Sequence, residues 1–176
     1  PYLGPGSKPV TDAEQALITQ RDKWFADEGG YNHIQGTKPQ TLAYGLNDSP
    51  VGLAAWIVEK YRTWSDCGGD VEKSYTKDEL LTIVTIYWVT QTISSSTRMY
   101  FENQKNLWAM EKDQKVPAPA GMAMFPQEIS KPPREWGERS YDVRRWTEMH
   151  SGGHFAALEE PQLLAEEVRA FFRDFR

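Results

Sequence analysis

The chain has 176 residues, 39% hydrophobic and 26% charged, with a net charge of −5. That length supports a domain with a real core, and the acidic balance argues against nucleic-acid and anionic-membrane partners. A single cysteine, Cys67, excludes an intramolecular disulfide and a thiolate metal cluster and fits a reducing compartment.

Residues 1–10 read as a loop, punctuated by Pro1, Gly4, Pro5, Gly6 and Pro9. From Asp12 to Glu28, the positions Ala13, Ala16, Leu17, Trp24 and Phe25 trace a helical stripe. Thr11 or Asp12 caps it, and Gly29-Gly30 stops it. A short helical piece follows from Thr41 to Leu46. In Asn47-Asp48-Ser49-Pro50 the serine is placed to cap, and the proline to open, a helix that continues from Val51 to Trp64. It runs out in the loop Ser65-Asp66-Cys67-Gly68-Gly69-Asp70. Thr76-Lys77-Asp78-Glu79 has the capping-box spacing and opens a long apolar helix from Lys77 to Val89. Another helix is predicted from Ser95 to Asn106. Val116 to Phe125 reads as a buried strand with Pro117 and Pro119 at its entry or on an edge. Tyr141 to Met149 is the last predicted strand. Pro161 to Phe175 is a helix with Leu163, Leu164, Val168, Phe171 and Phe172 on one side. No apolar run reaches the roughly 18 residues a membrane span requires, and no signal-peptide pattern opens the chain.

Helices dominate the first part, and the remainder reads strand, loop, strand, loop, helix. This order predicts an α/β class. Residues 1–110 would form a helical cap or lid with return helices, and 111–176 the last strands and C-terminal helix of a parallel sheet. Two strands cannot bury both faces of such a sheet. Gly152-Gly153-His154 ahead of the terminal helix stands where an α/β-hydrolase keeps its base, and with proline rather than methionine at position 1 the reading expects a partial α/β-hydrolase fold whose other strands lie in an N-terminal portion.

Chemistry concentrates near the end. Gly152-Gly153-His154 precedes the terminal helix, and glycines let a loop bend sharply enough to carry an imidazole over the carboxyl edge of a sheet. Glu128, just after the first predicted strand, is placed to accept the imidazole Nδ1–H and fix the tautomer. Glu135 and Glu138 are alternatives by spacing. Tyr31 and Tyr100 are candidate donors to a developing alkoxide, against the default that aromatic side chains fill cores. His33 and His150 read as structural rather than catalytic histidines. Gly68-Gly69-Asp70 imitates a nucleophile elbow, but position 72 is Glu and no strand precedes it, so Asp70 reads as a solvated loop residue. No Gly-x-Ser-x-Gly, phosphate loop or His-Glu-x-x-His spacing is present.

Taken in order, several stretches resemble one family. They are Gly30-Tyr31-Asn32-His33-Ile34-Gln35 with Thr37-Lys38-Pro39, and Leu46-Asn47-Asp48-Ser49-Pro50-Val51-Gly52-Leu53-Ala54-Ala55-Trp56-Ile57. Ile86-Tyr87-Trp88, Arg98-Met99-Tyr100-Phe101-Glu102-Asn103, Phe125-Pro126-Gln127-Glu128 and Gly152-Gly153-His154-Phe155-Ala156-Ala157 complete the set. From about residue 10 onward the chain resembles the C-terminal half of microsomal-type epoxide hydrolases, including the juvenile-hormone epoxide hydrolases. The resemblance implies His154 as water-activating base, Glu128 as its acid partner, and Tyr31 and Tyr100 as lid tyrosines on the oxirane oxygen. It implies a small hydrophobic epoxide and water as reactants, with no metal or organic cofactor. The nucleophilic aspartate and the His-Gly-x-Pro oxyanion segment would belong to the N-terminal half of the same hydrolase, with any membrane-associated segment. The isolated chain is therefore expected to be inactive. Other readings of the same pattern are an esterase or haloalkane dehalogenase fragment, and a non-catalytic remnant that binds hydrophobic ligands.

Overall fold

The computed structural model of the chain describes residues 1–107 and 109–175. They divide into two units. One comprises Pro1–Arg21, Trp64–Asp66 and the described residues from 109 to 175; the other comprises Asp22–Thr63 and Cys67–Leu107.

In the first unit Thr11 starts α1 (Asp12–Glu28) through a reciprocal capping box. The Thr11 hydroxyl accepts the Glu14 N–H at 3.2 Å, and Glu14 Oε2 accepts the Thr11 N–H at 2.9 Å. The predicted stripe on this helix is only partly inward. Leu17 is buried, but Ala13, Ala16 and Phe25 are exposed, and the other buried position is Glu14 at 1% exposure. The reason is a partner distant in sequence: Arg139, 11% exposed on its side chain, meets the Glu14 carboxylate at 2.5 Å and also donates to the Lys8 and Pro9 carbonyls. The hydrogen bond from Arg139 holds the Glu14 carboxyl below its ordinary value, against burial, with Thr11 helping. This contribution is therefore present at neutral pH and is lost as pH falls through the lowered value. Arg139→Ala should strand a buried carboxylate and cost about 3 kcal/mol. That loss reads as a lower urea midpoint; an unchanged midpoint would mean the pair does not stabilise the unit.

The sheet of this unit is β1 (Val116–Met124) paired in parallel with β2 (Tyr141–Glu148), with the short α7 (Arg134–Glu138) in the connection. Met122, Ala123 and Met124 sit opposite Trp146, Thr147 and Glu148. The register slips between Val116 and Pro119, where two prolines have no N–H to give the ladder. Contrary to the sequence expectation of a buried strand, Pro117, Ala118 and Pro119 are exposed, and Ala120 and Met122–Met124 are half-buried. After α8 (Ala156–Glu159), α9 (Pro161–Phe172) packs on the sheet. Gly121 leaves room for the Phe171 ring, which would stand 2.7 Å from a Cβ there. Leu163 and Leu164 pack on the core of Phe125, Met149 and Ala156. Val168 and Phe172, predicted on the same side, are exposed, and the last turn is 3₁₀ over Arg173–Phe175. Glu167 anchors α9 by accepting from Arg145 Nε at 2.5 Å and Thr147 Oγ1 at 2.8 Å.

The second unit is helical. Between Gly30 and Thr37 lies α2, which the sequence reading passed over because the glycine pair looked like a stop. Gly29 ends α1 and starts α2 at once: its N–H reaches Phe25 O at 3.0 Å, and a Cβ there would collide with that oxygen. The predicted piece at Thr41–Leu46 extends to α3 (Pro39–Asp48), with proline in its first turn. α4 (Pro50–Trp64) is capped as expected, Ser49 Oγ accepting the Gly52 N–H at 3.1 Å. A 3₁₀ turn follows over Val71–Lys73. The Thr76–Glu79 capping box opens α5 (Lys77–Thr90), which ends at Gln91 in the left-handed region (φ 53°). α6 covers Ile93–Lys105. Leu46, Leu53, Val84 and Ile93 form the buried centre of these helices, with Trp56, Tyr87 and Trp88 packed around it.

Candidate active site

Parallel strands run in one direction, so the loops that leave them emerge at the same sheet edge. Beyond the strand ends the pairing continues: Met149 N donates to Met124 O at 2.9 Å, Gln127 N donates to Gly152 O at 3.1 Å, and Gln127 forms a parallel bridge with Gly153. That register brings Glu128 and His154 side by side, with His154 Nδ1 2.7 Å from Glu128 Oε1.

Glu128 Oε1 also accepts the Ile129 N–H at 2.7 Å. A carboxylate only accepts, so Nδ1 carries the hydrogen and Nε2 keeps its lone pair. The hydrogen bond to Glu128 raises the His154 imidazole above its ordinary value; burial opposes this, and the charges of Glu128 and Glu159 add to it. For Glu128, burial pushes the carboxyl up. The hydrogen bonds from His154 and Ile129, together with the imidazolium charge, outweigh burial and leave it lowered. Both side chains remain reachable from solvent, at 39% and 31% exposure. Such a pair is built to take a proton at Nε2 and hold the resulting charge.

The two carboxylates left open by spacing are engaged elsewhere. Glu135 accepts from the Thr11 hydroxyl at 2.7 Å, and Glu138 pairs with Arg134 at 2.6 Å. The imidazole ring packs edge-on against Trp64, with centroids 5.3 Å apart, and the His154 N–H donates to Trp64 O at 2.9 Å. Sequence reading gave no role to Trp64, Asp66 or Glu159. Only the glutamate of the His154 run, Glu159-Glu160-Pro161, carried a local signal.

In the helical unit, Tyr31 near the start of α2 and Tyr100 on α6 meet edge to face, with centroids 5.9 Å apart and planes at 81°. Trp24 stands edge-on to Tyr31 at 6.5 Å, and Lys60 Nζ lies 4.8 Å from its ring centre. Burial, reinforced by Tyr100, raises the Tyr31 phenol above its ordinary value, with Asn32 acting the other way. Tyr31 is thus a neutral donor at physiological pH. Asp70 is exposed and caps the 3₁₀ turn by accepting from Glu72 N at 3.3 Å, while His33 and His150 are exposed. Among the described residues no cluster of three His, Cys, Asp or Glu could hold a metal, and no helix is long and apolar enough to cross a membrane.

No family model matches the chain. Epoxide hydrolase 1 of the pig, Sus scrofa, is 46% identical over 153 residues, covering 82% of this chain and 34% of the relative. The structure of Aspergillus niger epoxide hydrolase superimposes with a TM-score of 0.77 at 30% identity, covering 99% of this chain and 43% of that one. The crystal structure of juvenile hormone epoxide hydrolase from the silkworm Bombyx mori gives 0.79 at 31% identity, covering 95% and 42%. The chain thus spans between 34% and 43% of the length of these relatives. Similarity of this degree, over most of the sequence and nearly all of the structure, makes the chain a member of the epoxide hydrolases of the α/β-hydrolase fold, of which it is a C-terminal portion.

Proposed function

We propose that the chain carries the water-activating half of an epoxide hydrolase that converts a small hydrophobic epoxide to a vicinal diol. The observation that carries this reading is the 2.7 Å contact of His154 Nδ1 with Glu128, on loops at the carboxyl ends of two parallel strands. In the first step an aspartate from the part of the enzyme outside this chain attacks an oxirane carbon. The ring C–O bond breaks, Tyr31 and Tyr100 donate hydrogen bonds to the alkoxide, and a proton taken up from solvent makes it the first hydroxyl of the product. In the second step His154 Nε2 takes a proton from water as the hydroxide adds to the ester carbonyl. The acyl C–O bond then breaks, the leaving alkoxide takes the proton held by His154, and the aspartic acid gives its proton to solvent, so that diol and aspartate are released. Histidine suits this role because it must both take and return a proton near neutral pH.

The test compares diol formation from a simple aryl epoxide by two proteins: the chain completed with its N-terminal portion, and the 176-residue chain alone. Turnover is expected only from the completed enzyme. Diol formation by the chain alone would sink the assignment of the nucleophile to the other portion, and hydrolysis of carboxylic esters in place of epoxides would favour the esterase reading.

Glu128→Gln supplies a pH test. Glu128 raises His154, so its neutral substitute should move the rise of the hydrolytic rate with pH to lower pH. The plateau should also fall by about 10²-fold, because the imidazolium formed in the step loses its counter-charge. An unchanged pH profile would remove Glu128 from the mechanism.

A further inference from the structure

The tripeptide Trp64-Ser65-Asp66 lies against the His154 loop and is bound to it on both sides of the imidazole. Upstream, Gly152 has φ 99°, a left-handed conformation that favours glycine, and its N–H donates to Asp66 Oδ2 at 3.0 Å. Next to it Gly153 is packed so closely that a Cβ would stand 2.6 Å from Trp64 O and 3.1 Å from Asp66 N. Downstream, the Glu159 carboxylate bridges two backbone amides, accepting from Phe155 N at 2.9 Å and Asp66 N at 2.7 Å. Glycine at 152 and 153 makes this loop intrinsically loose, because two residues without side chains have the widest choice of backbone angles. The direction of the imidazole therefore depends on what the flanking amides are tied to.

We propose that Asp66 and Glu159 are positioning residues for His154. Their carboxylates hold the backbone before and after the imidazole in the one arrangement that delivers Nδ1 to Glu128 and leaves Nε2 free to take a proton. Asp66 fixes Gly152, Glu159 fixes Phe155, and because Glu159 also binds the Asp66 N–H the two clamps act as one. The inference rests on His154 as the base of the proposed reaction, although the clamp itself is a matter of geometry.

Two measurements test it in the completed enzyme. The first is kinetic. Asp66→Ala and Glu159→Ala should slow hydrolysis of the alkyl-enzyme by about 10-fold or more, since a small misplacement of a reacting group is costly. With the second step slowed, the intermediate accumulates, so kcat and KM should fall together while kcat/KM stays within about twofold. Asp66→Asn keeps a side-chain oxygen for the Gly152 N–H and should recover most of kcat. A fall in kcat at constant KM would mean only a smaller folded fraction and would overturn the proposal.

The second measurement does not depend on the reaction: the proton NMR signal of the His154 Nδ1–H held by Glu128. It should broaden or move upfield in both alanine variants and persist in Asp66→Asn. If it is unchanged in the alanine variants, the clamp does not position His154, whatever the enzyme turns over. If the signal responds but the wild-type enzyme opens no epoxide, the positioning role stands and the epoxide reading falls.

Discussion

Substituting His154 in the completed enzyme should leave a protein that alkylates once and then stops. His154→Gln keeps a polar side chain of similar reach but cannot take up and release a proton near neutral pH, so water is no longer activated at the ester. Removing a general base costs about 10²–10⁴-fold, and the steady-state rate is expected to fall within that range. Ring opening does not use the base and should continue. The protein should therefore gain the mass of one epoxide molecule, and intact-mass measurement after mixing with substrate reads this directly. Steady turnover at the wild-type rate with no adduct would mean that the imidazole beside Glu128 is structural. The 2.7 Å contact would then serve to hold the Gly152–Gly153 loop to the Glu128 loop rather than to tune a base.

The complementary expectation concerns the first step. Tyr100→Phe or Tyr31→Phe removes one phenolic donor and leaves the edge-to-face packing of the pair at 5.9 Å largely intact. Loss of a single donor to a developing oxyanion costs about 10²–10³-fold. The loss should appear in kcat/KM for epoxide opening, with no adduct accumulating, the opposite signature to His154→Gln. Replacing both should cost less than the product of the two single effects, because the donors share one oxygen. Single-turnover rates with enzyme in excess measure this, and an unchanged rate in both single variants would exclude the phenols from ring opening. Burial raises the Tyr31 phenol, so it donates without ionising across the neutral range, and its contribution should be flat with pH there.

The opposite signatures also separate chemistry from stability. A variant such as Arg139→Ala, which strands Glu14, should lower the unfolding midpoint without distinguishing the two steps. Any variant that moves only one of them acts on the site.

Much of the helical framework was legible in local signals. Thr11, Ser49 and Thr76 each supply an oxygen to an amide three residues ahead, and the helices begin where those residues stand. The first strand was legible as a short apolar segment, the second from an imperfect alternation over Val143–Trp146, and the terminal helix from its apolar spacing. α2 was not, because Gly29-Gly30 is locally indistinguishable from a stop and becomes a helix-to-helix corner only where its backbone meets the Phe25 carbonyl. Nor was the burial of Glu14, a charged residue on the face expected to be apolar, since its partner Arg139 is 125 residues away.

The site divides in the same way. The glycines before His154 and the place of Glu128 after a strand are local features, and they made both residues candidates in the sequence. Which of Glu128, Glu135 and Glu138 meets the imidazole was not local. It was decided by the parallel register that continues through Gln127 and Gly153, and by Thr11 and Arg134 engaging the other two carboxylates. Asp66 was likewise invisible, because the Gly152 amide it binds is 86 residues away, and Glu159, although it stands in the His154 run, has its second partner, the Asp66 amide, 93 residues away. Sequence determines where a helix starts and where a loop can bend, because those depend on atoms within a few residues. Which side chains share a hydrogen bond across the fold depends on register and packing between distant segments, and only the tertiary structure decides that.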